Sequence, residues 1–146
     1  MLPIIILIIA GGVIVYAILT YNGLIATKKQ IKASIQEIGN QLKRQADLIP
    51  NLTESVKGYM EHEKEIFEKL TEARKGALEA ASSGSLNAMN KAAEALTKAL
   101  SPIRAVFEST PQLQAMEVVK SLMDNLRDTA DKVSYSRRLL IDLVAD

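Results

Sequence analysis

The stretch best equipped for chemistry is EHEKE, residues 61–65, which holds the only histidine of the chain, His62. A histidine among carboxylates suggests a metal ligand or a general base. A helical zinc site of the metalloprotease kind needs a second histidine four residues after the first, and position 66 is Ile66. A solvated surface histidine is the better reading. Glu61, Glu63, Glu65, Glu68 and Glu72 could gather a cation, but they alternate with Lys64, Lys69 and Arg74, the pattern of a salt-paired helix face. Ser82, Ser83 and Ser85 have no histidine nearby in sequence to activate a nucleophile. Gly11 and Gly12 lie in an apolar run and the other glycines are isolated, so no phosphate-binding loop is present. The absence of cysteine removes disulfides and thiolate zinc sites. A net charge of +1 gives no general reason to bind nucleic acid. The expectation is a protein that is not an enzyme, with no catalytic residue, no cofactor, no metal and no nucleic-acid partner.

The elements that would have to position any site are more legible. No charged side chain precedes Lys28, and residues 2–19, LPIIILIIAGGVIVYAIL, are almost wholly aliphatic. A bilayer core takes about 20 apolar residues in helical form, and the run extended through Tyr21 is long enough. Tyr16 and Tyr21 stand near its end, where aromatic rings favour the lipid–water boundary. A cleaved signal peptide would have a basic start and a small-residue cleavage site; neither is seen, so a retained anchor is expected over 1–23. Lys28, Lys29 and Lys32, followed by Lys43 and Arg44, place the basic flank after the span. Basic flanks stay in the cytoplasm, so residues 24–146 are expected to form a cytosolic helical bundle with the N-terminus outside. The same Lys28, Lys29 and Lys32 are candidates to meet lipid headgroups, each contributing about 1 kcal/mol close to an anionic surface.

Residues 24–80 read as one long helix. Ile35, Leu42, Ile49, Val56, Glu63 and Leu70 form one stripe; Ile31, Ile38, Gln45, Leu52, Tyr59, Ile66 and Ala73 form the other. Both step by seven, as in a coiled-coil seam. Pro50 interrupts without changing the phase, which favours a kink in a continuous helix over a full break, although a proline is also a common helix boundary. SSGS, 82–85, ends this helix, and Ser85 can cap the next. Leu86, Met89, Ala93, Leu96 and Leu100 carry a second helix that runs past Pro102 to Phe107. Thr110 and Pro111 then match a helix start, and Leu113, Met116, Met123, Leu126, Ala130, Val133 and Leu140 supply the apolar face of the last helix. The fold class is all-α: one N-terminal transmembrane helix followed by an elongated antiparallel bundle of three or four long helices.

YNGL (21–24), QLKRQADLIPNL (41–52), VKGYMEHE (56–63), TEAR (71–74) and TPQLQA (110–115), in this order, resemble the LemA family of prokaryotic membrane proteins. The segment 41–63 is the specific part. The resemblance implies a single N-terminal span in the cell membrane, a cytosolic domain of long helices, and no established enzymatic activity. Many relatives carry tryptophan near position 34 or 35, where this chain has Ser34 and Ile35.

Lengths suggest an assembly. A first soluble helix of about 57 residues would extend roughly 85 Å, and the next helix, less than half as long, would cover only the part beyond Val56. Ile31, Ile35, Ile38, Leu42 and Ile49 would then lack a partner in their own chain, and are expected to form the interface of a homo-oligomer. The function expected is a membrane-anchored helical scaffold that self-associates and docks other membrane proteins. An accessory or adaptor subunit of a membrane enzyme such as a protease is the alternative.

Overall fold

The computed structural model of the chain describes residues 2–60 and 63–145. These residues form five helices: α1, Leu2–Val56; α2, Glu63–Ser83; α3, Leu86–Ser109; the short α4, Pro111–Ala115; and α5, Glu117–Ala145. No strand occurs among the described residues. The second half of α1 packs with α2, α3 and α5 as an up-down-up-down bundle, and α1 is its hub, touching each of the other three long helices. The all-α class and the elongated bundle expected from the sequence are what the chain forms.

α1 holds 55 residues in one helix, about 82 Å at 1.5 Å per residue. The boundary expected between residues 23 and 24 falls inside it and is no break in structure. Pro50 also lies inside it, so the helix is continuous there and the break reading does not hold. Proline has no N–H, so the carbonyl four residues earlier, that of Ala46, loses its helical donor. Ala46 is 0% exposed, and a buried carbonyl needs a partner. The partner comes from α2: the Nε of Arg74 donates to the Ala46 carbonyl at 2.9 Å. Two of the family-like motifs, QLKRQADLIPNL and TEAR, meet in this one bond.

The helix expected over 24–80 is in fact two. The chain reverses between α1 and α2, after Val56 and before Glu63. Gly58 has φ +84°, the left-handed conformation with which helices commonly end and which costs other L-residues about 1–2 kcal/mol. The Tyr59 N–H donates to the Val56 carbonyl at 3.2 Å. The Gly58 N–H donates to the Glu63 carboxylate at 3.1 Å, and Glu63 and Glu65 place negative charge at the positive end of the α2 dipole. This extra reversal changes the direction of every later element. α2 runs back along α1, α3 runs out again, and α5 returns toward the apolar half of α1 rather than away from it.

The remaining turns follow residue chemistry. Gly84, at φ +68°, closes α2. Ser85 then caps α3 as expected, its hydroxyl accepting from the Ala88 N–H at 3.4 Å. Pro102 lies inside α3 without ending it. Pro111 starts a helix at its first turn, but that helix is only α4; Met116 leaves helical geometry at φ −79°, ψ 104° before α5 begins. The last helix expected from the sequence is therefore interrupted, and Met116, expected in the core, is 37% exposed.

Two substitutions test these joints. Arg74→Ala leaves the Ala46 carbonyl unpaired and is expected to destabilise by about 1–3 kcal/mol. In a Pro50→Ala background, where the helical N–H returns, the loss is expected to shrink. A double-mutant cycle by denaturant unfolding measures the coupling, expected at about 0.5–3 kcal/mol; additive effects would refute the pairing. Gly58→Ala has open space for its methyl, so its cost is purely conformational, about 1–2 kcal/mol. An unchanged melting temperature would show that the reversal does not need the left-handed geometry.

Candidate membrane-proximal surface

The five residues expected to lie bare for self-association are not bare. Ile38 and Leu42 are 0% exposed and Ile49 is 3% exposed; all three belong to the core that α2, α3 and α5 complete, and Ile31 and Ile35 are half-buried against it. The physical reason is the reversal after Val56, which brings α2 back over the α1 seam and sends α5 down beside it. At Gly39 the approach is so close that an added Cβ would meet Met89 Cε at 3.2 Å and the Ala81 carbonyl oxygen at 3.3 Å. The seam is an intramolecular one.

One of its polar members, Gln45, is explained by α5. Ser34, Gln41 and Gln45 of α1 and Thr129 and Ser136 of α5 are buried. Gln45, one of the two polar misfits of the heptad, donates to the Leu126 carbonyl at 3.5 Å. Beside it, the Arg44 guanidinium donates to Asn125 Oδ1 at 3.1 Å. Thr129 returns its hydroxyl to the Leu126 carbonyl at 2.8 Å. The other misfit, Glu63, is the carboxylate that closes the reversal.

The residues considered for chemistry have structural occupations or lie elsewhere. Glu61 and His62 lie outside the described residues. Lys69 pairs with Glu65 at 2.7 Å, with both side chains mostly exposed. Such a pair contributes at most about 1 kcal/mol. The Ser82 and Ser83 hydroxyls donate to the carbonyls of Glu79 and Ala80 at 2.9 and 2.7 Å. Among the described residues no cluster of His, Cys, Asp or Glu is placed to hold a metal ion.

The surface that stands out is at the other end of the molecule. The most apolar window of α1 has a mean hydropathy of 1.9 and is 0% buried, so nothing in the bundle covers it and it is not a core helix. Just beyond it, Lys28, Lys29 and Lys32 are exposed around α1. The end of α5 arrives at this level, adding Arg137 and Arg138. Between them a groove of about 450 Å³ is lined by Ile31, Ile35, Leu86, Leu140, Ile141 and Val144, with Asn90 and Arg137 as its polar members. Lys28, Lys29 and Lys32 were legible as a basic flank. The α5 contribution was missed, because a single helix over 24–80 would send the last helix away from the apolar segment. Gly58, two residues after Val56, was the signal that could have corrected it.

A single helix that is bare and apolar at one end and the hub of an antiparallel four-helix bundle at the other defines the class: a helical-bundle protein with one N-terminal helix long and apolar enough to cross a membrane. The LemA family model matches residues 34–146, most of the chain, and the protein belongs to the LemA family. No curated protein matches the sequence.

Because the seam is closed within one chain, a cysteine at Ile38 is expected not to crosslink between copies in native membranes. Leu42→Ala is expected to lower stability by about 2–5 kcal/mol, as for a buried leucine in a packed core. Efficient crosslinking at Ile38 would mean that the bundle opens to pair with another copy.

Proposed function

We propose that the protein is a non-enzymatic membrane-anchored scaffold whose N-terminal helix crosses the cell membrane, with the bundle held in the cytosol. The observation that carries the reading is the unbroken α1: one helix supplies an uncovered apolar segment and, without a joint, the hub of the bundle. A bare aliphatic surface of this length is stable in lipid and costly in water. The basic flank at Lys28, Lys29 and Lys32 supports the orientation with the bundle on the cytosolic side. The scaffold reading includes self-association. Its support now lies in the apolar segment and not in the seam, because Ala10, Gly11 and Ala17 would let two such helices approach closely in lipid.

The experiment is extraction in mild detergent combined with crosslinking. A homomer whose copies crosslink through Ala17→Cys supports the scaffold. A fixed second polypeptide in the extracted complex supports the adaptor reading instead. A monomer without crosslinks refutes self-association. Orientation is checked separately: protease added outside intact cells is expected to leave the bundle undigested, and digestion beyond Lys28 would reverse the topology.

A further inference from the structure

We infer that the end of α5 is a second membrane contact, docking with the neighbouring part of α1 on a lipid surface that carries anionic headgroups. The inference rests on the anchored reading of α1 and adds a site to it. The register of the two helices sets the height. Arg44 meets Asn125, Gln45 meets Leu126, and Ile31 shares a groove with Ile141 and Val144. In an antiparallel pair each residue gained on α5 is one lost on α1, so Val144 stands level with about residues 25–28 of α1. Tyr21, the last aromatic of the apolar segment, is then roughly 6–10 Å below at 1.5 Å per residue. The headgroup layer is roughly 5–8 Å thick on each side of the hydrocarbon core. The tip of α5 therefore reaches the headgroups while α1 passes through them.

The side chains there suit that environment. Ile141 and Val144 are 68% and 73% exposed, an unusual pair of bare aliphatics for water but an ordinary one for the lipid interface. Ala81 of α2 meets Gly39 of α1, so by the same antiparallel count the α2–α3 turn falls near residue 36, above the lower part of the groove. Its α1 side, Ile31, continues in helical phase to Leu24, which is 66% exposed and adjoins the apolar segment. The groove is thus continuous with the surface that meets lipid. Charge complements it: Lys28, Lys29, Lys32, Arg137 and Arg138 ring this end, against Glu37 and Asp142. Basic residues near the surface favour anionic headgroups. By the same register Lys28 and Lys29 stand about 10–12 Å above Tyr21, and Lys32, Arg137 and Arg138 about 15–20 Å, from where their long side chains reach down toward the headgroup layer.

The chain has no cysteine, so single labels are direct. Full-length protein carrying an environment-sensitive fluorophore at Val144→Cys is reconstituted into phosphatidylcholine vesicles with and without phosphatidylglycerol. Nitroxide-bearing lipid serves as quencher. Val118→Cys, exposed at the far end of α5, and Ile14→Cys, in the apolar segment, are the references. The expected result is blue-shifted emission at Val144 and lipid quenching several-fold above that at Val118. The contact is expected to strengthen with phosphatidylglycerol and to weaken in Arg137→Ala/Arg138→Ala. Water-like emission at Val144 with Ile14 quenched by lipid overturns the inference and leaves the anchor standing. If Ile14 is also unquenched, the anchored reading itself falls and takes the docking inference with it. Equal contact in both vesicles overturns the anionic part. Quenching between copies that rises with protein density and ignores nitroxide lipid assigns the groove to a second copy and overturns the lipid assignment.

Discussion

The direction of every element after α1 depends on the reversal between Val56 and Glu63. A helix continued through this segment would leave the α1 seam uncovered and send the last helix away from the apolar segment. With the chain turned at Gly58, α2 comes back over Ile38, Leu42 and Ile49, α3 goes out, and α5 comes home. The number of reversals, not the length of any helix, fixes which residues share a level. The reversal that the sequence pattern hides is marked by one residue in left-handed geometry, with a carboxylate from the next helix on its N–H.

The return of α2 over α1 is then fastened by a polar contact rather than by apolar area alone. Pro50 removes one donor from the interior of a helix and exposes a carbonyl on the buried face at Ala46. An unpaired carbonyl there would penalise the fold, and the penalty disappears only when Arg74 is alongside. The proline thus makes one register of α2 on α1 better than its neighbours, which apolar contacts between heptad-like faces discriminate poorly. Gly39 against Ala81, about two helical turns from Ala46 along α1, enforces the same register by closeness instead of hydrogen bonding.

Much of this was written plainly in the sequence. Periodicity gave the apolar faces, SSGS and Ser85 marked a turn, and the uncharged first 27 residues marked the bare segment. The passage of α1 through Pro50 was legible because the phase did not change. The reversal was not, because Tyr59 and Ile66 keep a seven-residue step across a turn in which the helix does not exist. A heptad pattern counts residues and is blind to whether the backbone between them is helical. The two polar misfits, Gln45 and Glu63, held the missing information: each marks a place where another element must arrive, α5 at Gln45 and the turn at Glu63. The groove was invisible for a related reason, since Ile31 and Val144 are neighbours only after the directions of all the helices are known.

An unjointed α1 also has a mechanical consequence in the anchored reading. Membrane helices tilt by about 20° on average. The far end of the bundle, near Val56, is about 50 Å from Tyr21 at 1.5 Å per residue, so that tilt would carry it sideways by roughly 18 Å. Ile31, about 15 Å from Tyr21, would move by only about 5 Å. The two ends of the bundle are therefore suited to different work. In that reading the end with Gly58, Glu63 and Glu65 would sweep through solvent, while the end with Lys28, Arg137 and Val144 would stay beside the bilayer. Contacts with lipid are open only to the second, and Ile141, Val144 and the densest group of basic residues lie there.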